Sequence, residues 1–190
     1  MSDWLSEKKS KVVLGLGNLL CRDDGFGVHA LHALRTSADS FVEFEFVDGG
    51  VLGMNLLPLV ETCSHLLVLD AIDAGLAPGT VIETENDQIS LYHTVKLSEH
   101  QVSFQEVLGL ARFRDQLPAY LHVIGVQPED LSWGIGLSPC VTAAIADVTL
   151  RAMGVLKTWA IPTISSKVPE QDQSHPGDNS VGGGDPRFWV

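Results

Sequence analysis

Two rhythms of hydrophobic and polar positions alternate along this chain. Residues 12–16 form a short apolar run and predict a first strand. Val28, Leu31 and Leu34 then recur at helical spacing, which predicts a helix from Asp24 to about Thr36. Residues 41–47 alternate strictly, with Phe41, Glu43, Glu45 and Val47 on one face and Val42, Phe44 and Phe46 on the other. This second strand has one polar side, as an edge strand does, and it ends at Asp48-Gly49-Gly50. Leu52, Leu56 and Leu59-Val60 have helical spacing broken at Pro58. Residues 65–69 are continuously apolar and end at Asp70, which predicts a central strand buried on both faces.

Ala77-Pro78-Gly79 marks a turn, residues 80–84 a fourth strand, and residues 86–97 a polar loop. Ser98-Glu99-His100-Gln101 has the spacing of a capping box before a helix that carries Val102, Val107-Leu108 and Leu110-Ala111. Residues 120–126 predict a fifth strand. Ser138-Pro139 then opens a long helix that runs to about Trp159. The alternation predicts an α/β fold, a three-layer αβα sandwich around a mostly parallel five-stranded sheet.

A chain of 190 residues suits one domain with a core that needs no disulfide or metal staple. That domain is placed at residues 11–160. Residues 1–10 are polar and expected to be flexible. Residues 161–190 are rich in Pro, Gly, Ser and Asp and expected to be a disordered tail. The leading segment lacks an apolar signal core, and no run approaches the roughly 20 apolar residues of a membrane span, so membrane insertion is not expected. Three cysteines, Cys21, Cys63 and Cys140, fit free thiols in a reducing compartment, and the expected location is cytoplasmic. The net charge of −12 argues against nucleic acid as a partner and is compatible with a cation or a cationic partner.

In an open α/β sheet, ligands bind beyond the carboxyl ends of the strands. Asp24 follows the first strand, Asp70 ends the third, and His100 lies in the first turn after Ser98. Two carboxylates and an imidazole suit a borderline divalent ion such as zinc or nickel and leave coordination positions open. Each residue also has an ordinary structural reading: Asp23 and Asp24 as helix caps, Asp70 as a brace for a loop, His100 as a surface residue. Asp48, with Gly49 and Gly50, ends a strand on the same edge and is a candidate substrate contact. His93 is the reserve ligand.

Two rival chemistries compete. Gly15-Leu16-Gly17 lacks the third glycine of a dinucleotide fingerprint, and Asp23 and Asp24 beside it would repel a pyrophosphate. Cys140 near a helix N-terminus is a candidate nucleophile with no identifiable His partner.

The stretch Gly15-Leu16-Gly17-Asn18-Leu19-Leu20-Cys21-Arg22-Asp23-Asp24-Gly25-Phe26-Gly27 resembles the N-terminal signature of the NiFe-hydrogenase maturation endopeptidases. The likeness continues through Asp48-Gly49-Gly50, Leu69-Asp70-Ala71-Ile72-Asp73-Ala74-Gly75 and Ser98-Glu99-His100-Gln101. It extends to Ile124-Gly125-Val126-Gln127-Pro128 and Gly136-Leu137-Ser138-Pro139. It spans about residues 11–158 in order and leaves out both ends.

The resemblance implies an endopeptidase that removes a C-terminal peptide from the nickel-loaded precursor of the hydrogenase large subunit. It implies metal contacts at Asp24, Asp70 and His100, with the nickel belonging to the precursor or zinc or another divalent ion in its place. It also implies a substrate-recognition role for Asp48. The family often has Glu where Asp24 stands, one methylene longer. If all three ligands are engaged, Asp23 is the remaining candidate for a general base. The competing reading from another class is a non-catalytic, metal-dependent binding or chaperone module on the same edge.

Overall fold

The computed structural model describes residues 10–38, 40–86 and 104–160. His93, the Ser98–Gln101 capping box with His100, and the two terminal segments lie outside the described residues.

Five strands form one sheet in the order β2-β1-β3-β5-β4: β1 (Lys11–Leu16), β2 (Phe44–Gly50), β3 (His65–Ala71), β4 (Val81–Glu85) and β5 (Tyr120–Val126). The pairs β1–β2, β1–β3 and β3–β5 are parallel, whereas β4 runs antiparallel to β5. The helices are α1 (Phe26–Ser37), α2 (Leu57–Thr62), α3 (Phe104–Phe113) and α4 (Pro139–Ala160).

The sheet divides the core in two. Val13, Leu67, Leu69, Ile124 and Val126 pack under α1 and α4, while Val12, Leu14, Leu66, Val68 and Val123 pack under α2 and α3. The alternation is that of pleated strands, whose successive side chains point to opposite faces. Because β1 and β3 are covered on both faces, they appear in the sequence as continuous apolar runs rather than alternating ones. This is the expected αβα sandwich.

Two elements differ from expectation, and the extent of the long last helix is as expected. The second strand begins at Phe44 rather than Phe41. Phe44 N–H donates to the Phe41 carbonyl (3.1 Å), closing a turn that buries both rings edge to face, with centroids 5.9 Å apart. At its other end β2 continues to Gly50, because Gly50 carbonyl accepts from Gly17 N–H (3.0 Å). It is an edge strand, as its polar side predicts.

Pro58 lies in the first turn of α2, where its missing N–H costs no helical hydrogen bond. The preceding residues Gly53–Leu56 form a 3₁₀ turn instead. Finally, α4 has 22 residues and by length and composition alone is apolar enough to cross a bilayer. Its Val141, Ala144, Val148, Ala152 and Leu156 recur at helical spacing and are buried against the rest of the core, so its apolar face is already covered.

Candidate functional site

The strand order puts the carboxyl ends of β2, β1 and β3 side by side. Asp48 lies near the end of β2, Asp24 follows β1 by one short loop, and Asp70 sits one residue before the end of β3. Two close backbone approaches fix this edge. A Cβ on Gly17, whose φ is +119°, would run into the Asp24 carbonyl, and one on Gly27 would run into the carbonyls of Leu16 and Leu69. Glycine at these positions lets the loop fold back on itself and lets α1 start against β1 and β3. The buried Asp24 carboxyl in this turn would repel a phosphate, which disfavours the dinucleotide reading of Gly15-Leu16-Gly17.

Asp24 is buried in a 3₁₀ turn, Arg22–Gly25, and its Oδ2 accepts from Asn18 N–H at 2.8 Å. It caps no helix: neither that turn nor α1 has a side-chain cap. Burial raises its pKa, and the Asn18 N–H opposes this. Asp70 is partly buried, and among the described residues its carboxyl accepts only from the adjacent Ala71 N–H (Oδ1, 2.8 Å), so there it braces no distant loop. Burial first, and then the negative charge of Asp24, push its pKa up to about 8 against the lowering effect of that N–H. Among the described residues neither carboxyl has an ion-pair partner.

Two coupled acids held in low dielectric without a counter-charge make an environment that a cation relieves. Among the described residues no three His, Cys, Asp or Glu side chains come together as a metal site. The third expected ligand, His100, lies outside the described residues. Asp48 is exposed on the same edge, next to Gly50 in the left-handed region at φ +42°.

Asp23, beside Asp24, has a different task. Its side chain is fully buried. Oδ2 accepts from the N–H groups of Glu129 and Asp130 (2.9 Å each) and Oδ1 from Ser138 N–H (2.6 Å). Burial alone would raise its pKa; the N–H donors of Ser138, Asp130 and Glu129 outweigh it and hold the carboxyl below the usual range. A buried carboxylate committed to three backbone donors is not free to act as a general base, so Asp23 does not fill that role.

Asp23→Ala leaves three buried donors without partners and should cost about 2–4 kcal/mol in urea unfolding at pH 7. Asp23 has a folded pKa below its unfolded 3.8, so its contribution is complete above that value and fades as pH falls through the folded one. The gap between variant and wild type should therefore shrink in acid. A constant gap down to pH 2 would show that the ionised form is not what holds the loop.

Gln127 is a site-building residue that the sequence pattern does not reveal. It is buried just past β5. Its Oε1 accepts from Ala74 and Leu76 N–H (2.8 and 3.1 Å) and its Nε2 donates to Asp73 Oδ1 (3.0 Å), fixing the loop that follows Asp70. A polar residue directly after the apolar stretch 123–126 is the local sign of it. Cys140 Sγ contacts the Ser138 hydroxyl and Glu129 Oε2, each at 3.4 Å, and no histidine approaches it among the described residues, which leaves the nucleophile reading without a base.

The family model described as hydrogenase maturation protease matches residues 28–154. The chain is 40% identical over 152 residues to the hydrogenase expression/formation protein HupD of Rhizobium leguminosarum bv. viciae, covering 79% of this chain and 75% of that one. It is 34% identical over 154 residues to the hydrogenase 2 maturation protease of Escherichia coli (strain K12), covering 80% and 94%. Among solved structures, the hydrogenase maturating endopeptidase HybD from E. coli aligns with a TM-score of 0.71 at 33% identity, covering 80% of this chain and 94% of that chain.

Proposed function

This chain belongs to the hydrogenase maturation protease family, and from that premise we propose that it removes the C-terminal peptide of a hydrogenase large-subunit precursor once nickel is in place. The observation that carries the site assignment is the pairing of Asp24 and Asp70. Asp24 is buried and Asp70 partly so, both have raised pKa values, and no counter-charge accompanies them among the described residues.

In the reading proposed here, the nickel carried by the precursor is what the two carboxylates receive, with His100 as the third contact. Carboxylate and imidazole donors suit nickel or zinc. A divalent ion so held supplies Lewis acidity toward the scissile carbonyl. The protein's own part is positional. Asp24 is fixed by the Asn18 N–H and Asp70 by the Ala71 N–H, so neither reorganises as the substrate arrives. Asp70 gives up its proton on meeting the cation. Asp48 and the Gly49-Gly50 backbone, at the exposed end of the edge strand β2, hold the extended segment that leads to the scissile bond. A chain with three cysteines, an odd and small number, fits a reducing compartment, and the cytoplasm is the proposed place of action.

The test uses purified precursor with and without nickel, followed by gel mobility and mass spectrometry. Wild type should cleave one C-terminal bond in the nickel-loaded form alone. His100→Ala should keep its circular dichroism and lose processing by at least about 100-fold, as removal of a transition-state contact does. Normal cleavage by this variant would overturn the site. Stable binding without cleavage by wild type would make the chain a nickel-dependent binding module instead.

A further inference from the structure

The loop from Gln127 to Ser138 is held along its whole length. Asp23 bonds it near both ends, through Glu129, Asp130 and Ser138. Arg22 Nε pairs with Asp130 Oδ2 at 3.2 Å, and Asp130 Oδ1 accepts from Ser132 N–H at 2.8 Å. In the middle, Gly134 forms a parallel bridge with Cys21: its N–H donates to the Leu20 carbonyl (2.9 Å) and its carbonyl accepts from Arg22 N–H (3.0 Å).

This fixed frame exposes its two largest apolar side chains. Trp133 is 79% and Ile135 86% accessible. Trp133 and Ile135 flank Gly134, where an added Cβ would meet the half-exposed Arg22 side chain, and both stand open to solvent. The bridge brings Leu20, itself 55% exposed, alongside them, and Leu19 precedes it. An isolated exposed leucine is ordinary, but a tryptophan and an isoleucine presented two residues apart on a loop anchored at its ends and middle mark a candidate docking surface.

We infer that Trp133 and Ile135 are the anchor through which the enzyme docks an apolar segment of its protein substrate, flanked by basic residues. The inference rests on the peptidase reading above and adds a specificity-determining surface to it. Two observations choose this occupant. The patch is continuous with the site, since Leu20 and Arg22 belong to the same short segment that carries Asp24. The charge around it is also net negative. Glu129 and Asp130 lie at the base of the tip, Arg22 and Asp130 balance each other as a pair, and the chain as a whole carries −12, which favours a cationic flank on the partner. Because the loop is ordered before docking, little freedom is lost on contact. Such a site suits a hot spot built on tryptophan.

The experiment measures binding and cleavage separately on the full chain with nickel-loaded precursor. The double variant Trp133→Ser/Ile135→Ser should weaken precursor binding and raise KM about 10- to 30-fold with kcat within about 2-fold. Leu150→Ser, an equally exposed apolar position on α4 (71%), should change neither. Trp133→Phe should restore most of the affinity. Unaltered binding by the double variant would overturn the docking surface. So would a wild-type dimer in sedimentation that the double variant dissolves while binding is unchanged, since a second copy would then be the occupant. Binding that weakens as expected while wild type fails to cleave would leave the docking surface standing and remove the peptidase reading.

Discussion

Asp70→Asn will give a protein that resists denaturation better than wild type at pH 8 and processes no precursor. The stability half follows from linkage. Asp70 has a folded pKa of about 8 against 3.8 unfolded, so between these values the folded state holds a proton that the unfolded chain releases. Wild-type stability must therefore fall as pH rises through that window, and it is unaffected by this group below it. Asparagine has no charge to bury, and its Oδ1 can still accept from Ala71 N–H, so the variant lacks the fall. Since the Asp70 side chain keeps some solvent access, the gain at pH 8 is about 1–3 kcal/mol rather than the full value of the shift.

Urea unfolding at pH 4 and pH 8 checks this: the variant and wild type should coincide at the lower pH and separate at the higher. Equal separation at both would mean that Asp70 is not the group responsible. The functional half follows from the proposed role of Asp70 in receiving nickel: an amide would donate no negative charge to it, and cleavage should fall by at least about 100-fold. A residue whose removal stabilises the fold and ends the activity has been kept for what it does, since activity is often obtained at a cost in stability.

Gly27→Ala should be among the most damaging single changes in the protein. The added methyl meets the Leu16 and Leu69 carbonyls and, at 2.8 Å, the Leu16 N. These are backbone atoms of β1 and β3, the two most enclosed strands, and neither can move without disturbing the sheet. A cost of about 3–5 kcal/mol is expected. Domains of this size have only about 5–15 kcal/mol in total, so much of the protein should be insoluble at 37 °C. The soluble fraction should melt roughly 10 °C or more below wild type. Gly154→Ala is the control. It lies within α4 with nothing within 4 Å of the added methyl, and it should stabilise by about 0.5–1 kcal/mol. If both substitutions move the melting temperature in the same direction, the close approach at Gly27 is not what the position requires.

The parts of the fold that the sequence discloses are those governed by neighbours in the chain. Residues 120–126 give β5 because Leu121 and the apolar stretch 123–126 are buried in the core, and Ser138-Pro139 gives the start of α4 through the local preference for proline in a first helical turn. Phe41 is misassigned to β2 because a turn that buries Phe41 and Phe44 has the same apolar spacing as a strand. The direction of β4 is equally invisible, since an antiparallel and a parallel edge strand carry the same pattern.

The site divides in the same way. Asp24 and Asp70 are legible because the carboxyl edge of a parallel sheet is where ligands go, and both follow predicted strands. The separate task of Asp23 is not legible. Its donors at Glu129, Asp130 and Ser138 are 106, 107 and 115 residues away, and nothing near position 23 announces them. Gln127 is hidden for a related reason: it acts on Asp73, Ala74 and Leu76 across the sheet edge.

At the opposite edge of the sheet, Lys11 Nζ donates to the Trp159 carbonyl (2.6 Å), and the Trp159 ring lies edge-on to His65 (5.1 Å) and His122 (6.4 Å). The first residue of β1 thus touches the penultimate residue of α4, 148 positions later. The domain closes on itself at the pole farthest from Asp24 and Asp70. Joining residues 11 and 159 across that contact would close the described domain into a ring at the end of the sheet opposite Asp24 and Asp70.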